Sequence, residues 1–136
     1  MSELKIEAKV ENLKQVLSFV DGFLERLNCP LRTQMRLDVV VEELFVNIAS
    51  YAYAFGTGDA TIRVETTDDP PVFSVTFIDS GVPYDPLKKT DPDVSLSAED
   101  REIGGLGIFL VKKIMDGVEY KRDGQKNVLT VVKKLG

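Results

Sequence analysis

From Leu13 to Tyr53 the apolar residues recur at helical spacing, interrupted once at Asn28-Cys29-Pro30, whereas on either side of that stretch they mostly alternate at period two. Two successive amphipathic helices, each with one apolar stripe to bury, must then find their partner surface in strands. The first helix carries Leu13, Val16, Leu17, Val20, Leu24 and Leu27 on its stripe. The second starts after Pro30 and runs to about Tyr53, with Leu37, Val41, Leu44, Phe45, Ile48 and Ala52 at steps of three and four.

Around these helices the strands are legible one by one. Leu4 to Val10 alternates apolar and charged residues, and Asn12 behind it offers a helix cap. Ala60 to Thr66 and Val72 to Asp79 form a hairpin through the turn Thr67 to Pro71, and Leu106 to Met115 reads as a short helix. Val118 to Arg122 and Val128 to Lys134 make a second hairpin, turning at Asp123-Gly124. The fold class expected is α+β: a two-layer α/β sandwich, with helices on one face of a mixed, mostly antiparallel sheet. A single domain spanning 1–136 is expected from the length.

Charge and composition narrow the function. The formal net charge of −5 argues against a direct nucleic-acid partner, which would call for a basic contact face. No uncharged run approaches the ~20 residues that span a bilayer, so no membrane role is expected, and a soluble, unprocessed, cytoplasmic protein is. A lone cysteine, Cys29, forms no internal disulfide and suits a reducing compartment. The chain holds no histidine, which removes nucleophile–histidine triads and the usual zinc sites. Catalysis must rest on carboxylates, amides, lysines or a bound ion.

Four features can carry such chemistry. Glu43 and Asn47 lie four residues apart on the second helix, ~400° around it, so they project from one side, off the apolar stripe. Taken alone the pair reads equally as a solvated helix face, although an amide oxygen beside a carboxylate suits Mg²⁺. Asp79-Ser80-Gly81 closes a strand; it is either a plain turn or an acceptor for a purine amine, with Gly81 letting a ring approach the backbone. Gly104-Gly105-Leu106-Gly107 opens the short helix, where glycines expose N–H groups to an anion at the positive end of the dipole. Thr130, in the last strand, suits a pleated sheet and alone means nothing. Between the second and third features runs Ser80 to Gly105, long and irregular enough to be a functional loop.

In this order, the four features resemble the ATP-binding site of the GHKL superfamily, to which histidine-kinase catalytic domains, Hsp90, gyrase and MutL belong. Within it the chain is most similar to the bacterial anti-sigma factor serine/threonine-protein kinases, over about Leu4 to Leu135. The resemblance implies a Bergerat-type ATP-binding fold with ATP and Mg²⁺ as cofactors. It makes Glu43 the general base, Asn47 the Mg²⁺ ligand and Asp79, with Gly81, the reader of adenine. Gly104, Gly105, Leu106 and Gly107 become the phosphate cradle, Arg101 a γ-phosphate contact, and Thr130 a residue near the adenine. Residues 84–103 become the ATP lid. Where relatives often carry a histidine, this chain has Tyr51, and Val82-Pro83-Tyr84 follows Gly81 without a further glycine.

The function implied is a regulatory serine kinase that sequesters a sigma factor and phosphorylates an anti-anti-sigma STAS-type partner, with a homodimer suggested by relatives. The alternative is a non-catalytic ATP-gated protein-binding module of the same fold.

Overall fold

The computed structural model describes residues 1–53, 56–68, 70–88 and 105–135. Five strands, β1 (Ser2–Glu7), β2 (Asp59–Asp68), β3 (Pro71–Asp79), β4 (Gly117–Asp123) and β5 (Lys126–Lys134), form one sheet in the order β1-β2-β3-β5-β4. All four pairings are antiparallel, so the parallel component allowed by the expected mixed sheet does not occur among them. Three helices, α1 (Leu13–Arg26), α2 (Leu31–Tyr51) and α3 (Gly105–Ile114), complete the described elements apart from two short 3-10 turns.

Period-two alternation sorts each strand into a covered and an open face. Ile62 and Val64 of β2, Phe73, Val75 and Phe77 of β3, and Val131 of β5 are buried, while their neighbours in sequence are partly buried or exposed. The helices meet this face through Val16, Val20 and Leu24 of α1 and Leu37, Leu44 and Phe45 of α2. Burying a side chain of this size stabilises the fold by about 1.5–3 kcal/mol, so the covered face outweighs any single polar contact.

Several boundaries differ from those expected, for identifiable reasons. β1 ends at Glu7 because Ala8 N–H donates to the Gly58 carbonyl (2.8 Å), and Val10–Asn12 then winds into a 3-10 turn. Asn12 sits at the N-cap of α1, but its side chain makes no capping bond; the amide donates back to the Glu7 carbonyl instead (2.9 Å). α1 stops where Asn28 takes φ 55°, a left-handed conformation that asparagine tolerates, with Cys29 N–H reaching the Leu24 carbonyl (3.1 Å). The β4–β5 loop is Gly124-Gln125, since Asp123 pairs with Lys126, and Gly124 supplies the φ of 61° that the turn requires.

Candidate functional site

One end of the covered face holds polar groups where the core would otherwise continue. Asp79 and Asn127 are cross-strand partners at the ends of β3 and β5, both 6% exposed. Asp79 Oδ1 accepts from Gly81 N–H and from the Asn127 side-chain amide, each at 2.9 Å. Its hydrogen bonds to described residues all fall on that oxygen, leaving Oδ2 for a group in the adjoining hollow.

Asn127 is the knot of this end. Its amide also donates to the Val82 carbonyl (2.8 Å), and its carbonyl accepts from Tyr84 N–H (3.3 Å), the Tyr120 hydroxyl and an Arg122 guanidinium N–H (3.2 Å). The same Arg122 nitrogen donates to the Gly81 carbonyl (2.9 Å). The β4–β5 hairpin thereby holds the chain from Gly81 to Tyr84, the root of the expected lid.

The hollow beside Asp79 is walled by Leu44, Ile48 and Ala52 of α2 and by Phe77 and Leu129 of the sheet. Asn47 lines it as well, and Tyr51 and Tyr84 stand at one side with ring centroids 6.3 Å apart. An apolar slot with one buried acceptor at its floor suits a flat heteroaromatic ring carrying an exocyclic amine. Tyr53 braces the rim: its hydroxyl donates to the Asp59 carbonyl (2.7 Å) and accepts from Ser80 N–H (2.9 Å). Burial, more than the nearby acids, pushes that phenol above its ordinary range.

Two glycines have definite tasks. A Cβ on Gly81 would overlap the backbone of Ala52, whose carbonyl accepts from Val82 N–H (3.0 Å), so the bare Cα lets the segment after β3 lie on the end of α2. A Cβ on Gly107, in the first turn of α3, would overlap the Glu43 carboxylate. The absent side chain therefore leaves room for that carboxylate beside the amino end of α3, where the helix dipole favours negative charge.

The structure thus brings Glu43 to the first turn of α3, and Asn47 and Asp79 to one hollow. Gly105 opens α3, one residue before the expected start, and Leu106 follows in the same turn. Thr130 is not brought to the hollow. Its hydroxyl lies 3.2 Å from that of Thr76 on the open face of the sheet, in a shallow patch with Arg63, Glu119 and Lys121. The physical reason is parity: Asn127 and Leu129 face the helices, so Thr130 points the other way. Arg101, Gly104 and most of the expected lid lie outside the described residues; its described root, 84–88, ends in the 3-10 turn Pro86–Lys88.

Sequence reasoning missed Asn127, Tyr120 and Arg122. The sequence marks the turn but places it at Asp123-Gly124; the loop at Gly124-Gln125 shifts the register and makes Arg122 and Asn127 opposite neighbours.

An ATP molecule and its magnesium ion are tested by these residues alone. The slot with a carboxylate oxygen unbonded to any described residue fits a purine; the turn opened by Gly105 fits phosphate; the Asn47 amide is a hard oxygen donor suited to Mg²⁺. Among the described residues no group of three or more acidic, Cys or His side chains forms a metal cage, so an ion here would be shared with the nucleotide.

Comparison with known proteins bears on the family and the fold. Residues 6–133 match the family model described as the histidine kinase-like ATPase domain. Serine/threonine-protein kinase BtrW of Bordetella bronchiseptica is 29% identical over 128 residues, 94% of this chain and 89% of that protein. A serine-protein kinase RsbW of Bacillus cereus is 26% identical over 131 residues, 93% of this chain and 81% of that protein. Among solved structures, the blue-light activated histidine kinase of Erythrobacter litoralis EL346 superposes with a TM-score of 0.59 at 19% identity, covering 79% of this chain and 32% of that one. The histidine kinase domain of that protein gives 0.56 at 19% identity, covering 78% and 46%. The chain therefore spans less than half of each of these structures, and the likeness is one of fold.

Proposed function

The chain belongs to the histidine kinase-like ATPase domain family, and from that premise we propose that it is an ATP-dependent serine/threonine-protein kinase and anti-sigma factor. It phosphorylates a serine on an anti-anti-sigma, STAS-type partner and sequesters a sigma factor. The domain of residues 1–136 works as one unit in this scheme.

The observation that carries the reading is the placement of two acids in two different settings beside α2, which we read as the two ends of a nucleotide trough. Asp79 closes an apolar slot, and Glu43 stands over Gly107 at the mouth of α3. A nucleotide's base and phosphates need those two environments at about that separation of roles. The relatives' names, serine-protein kinase and serine/threonine-protein kinase, support the choice of acceptor.

Bound Mg-ATP supplies the phosphoryl group and the charge neutralisation that transfer requires. The chain's own residues do the rest. Asp79 Oδ2 accepts from the base amine, with the carboxylate held in place by Asn127 and Gly81. Asn47 presents its amide oxygen to the ion. Glu43 takes the proton of the partner's hydroxyl, and the first-turn N–H groups of α3, with Gly104 and Arg101 before them, bind phosphate oxygens.

Calorimetric titration with Mg-ATP, followed by labelled-phosphate transfer to a serine-bearing partner, tests the scheme. Asn47→Ala should weaken Mg-dependent binding about tenfold or more, while Glu43→Ala should keep nucleotide and lose at least about a hundredfold in transfer. Undiminished transfer by Glu43→Ala removes the base assignment. Tight binding with no transfer by the unaltered protein would instead leave an ATP-gated binding module.

A further inference from the structure

Away from the nucleotide trough, two acids meet across the seam between α1 and α2. Asp21 of α1 and Asp38 of α2 lie within hydrogen-bonding reach of each other. In both, Oδ1 is sealed from water and receives no hydrogen bond from the described residues. Two ionised carboxylates so placed repel each other and leave those oxygens unsatisfied, whereas one shared proton turns the repulsion into a hydrogen bond.

Among the described residues around the pair, no cation is placed to do the same work. One turn from Asp21 on α1 is Glu25, and one turn from Asp38 on α2 is Glu42, both exposed. Arg26 stacks over the Phe23 ring, and Arg36, two residues before Asp38, is exposed. The 3-10 turn that packs on both helices brings Glu11, and Lys9 before it pairs with Glu7 (3.1 Å). The sheet beneath presents apolar side chains, among them Ile62 and Val64. α3 lies on the other flank of α2, because Glu43, which meets Gly107, is five residues from Asp38 and so ~140° around the helix.

We propose that Asp21 and Asp38 form a proton-binding site in which one shared proton clamps α1 to α2. Burial first, then the hydrogen bond and charge of Asp21, push the Asp38 carboxyl up to about 7, far above its ordinary range. A carboxyl raised in the folded state takes up a proton on folding. Its protonated form stabilises the fold fully at acid pH, and that contribution declines from about pH 4 and is gone above about pH 7. With no histidine in the chain, the side chain that ordinarily titrates in this window is missing. α2 also carries Glu43 and Asn47, so a change in how it seats on α1 is carried along a rigid helix to the trough.

The test uses the whole chain without nucleotide, labelled with ¹³C at the aspartate carboxyl carbons. NMR titration from about pH 4 to about pH 9 should show two coupled carboxyl resonances with an upper midpoint near neutrality. Asp38→Asn should abolish that midpoint. Asp21→Asn, whose amide can donate to Asp38, should lower the Asp38 midpoint while burial keeps it above the ordinary carboxylate range. In thermal melts the unaltered protein should lose about 5 °C between about pH 5.5 and about pH 8, while Asp38→Asn stays flat. Aspartates that all titrate below about pH 5, or an Asp38→Asn variant that keeps the unaltered pH slope, would overturn the proposal.

Discussion

β3 and β5 carry two polar cross-strand pairs, three ladder steps apart and on opposite faces of the same sheet. Asp79 with Asn127 lies under α2, sealed to 6% exposure, and together they take part in six hydrogen bonds. Thr76 with Thr130 faces outward and makes one, to each other. The backbone pairing is the same in both cases. What differs is the cover: a helix above Asp79 excludes water, so each hydrogen bond there is stronger and each unmet one costlier. Polar residues at sheet positions become candidates for chemistry through what walls them in, and only secondarily through their type.

That contrast can be broken or sharpened by substitution. Asp79→Ala removes the buried carboxylate from the floor of the slot and should weaken Mg-ATP binding on the order of 100-fold by calorimetry. Unchanged affinity would show that the covered pair has no part in reading the base. Asn127→Ala leaves Asp79 Oδ1 and the Val82 carbonyl each one donor short in a buried setting. It should lower stability by about 1–3 kcal/mol in urea unfolding and weaken the nucleotide about tenfold. Thr130→Val exchanges an outward hydroxyl for a methyl and should leave affinity within about twofold and stability within about 0.5 kcal/mol. A large loss of nucleotide binding in Thr130→Val would mean that the two faces communicate, and would erase the distinction drawn between them.

Much of this was legible in the order of residues. The helical spacing of Leu13 to Tyr53 and the alternation of β1, β2 and β3 give strong, local signals, because each burial pattern repeats over two or more periods. Glu43 and Asn47 were placed correctly on one side of α2 by rotation per residue alone. β5 was harder. Val128, Leu129, Val131 and Val132 are all apolar, so the alternation that would reveal its covered face is flat, and Thr130 could be assigned to either side. Asn127 sits at the first inward position after the turn, where an asparagine reads as turn chemistry. Its five hydrogen-bond partners come from three separated stretches, Asp79 to Tyr84, Tyr120 and Arg122, so no window of sequence contains them.

The seam between α1 and α2 shows the same limit. Asp21 and Asp38 look like ordinary solvated positions on their own helices, and only the packing angle of one helix on the other turns them into a pair. Gly107 likewise read as part of an anion cradle, and its overlap with Glu43 became visible once α3 was laid beside α2.

By itself, the sequence determined the elements, their apolar faces and the two-layer architecture, together with the absence of any histidine-based mechanism. These follow from backbone periodicity and residue chemistry, which act over a few neighbouring positions. Tertiary structure decided which polar side chains are walled from water, which oxygens find donors and which glycine makes room for an acid. Those outcomes depend on groups far apart in the chain meeting at distances of a few ångströms, a scale at which one residue of register or a fraction of a helical turn reverses the result.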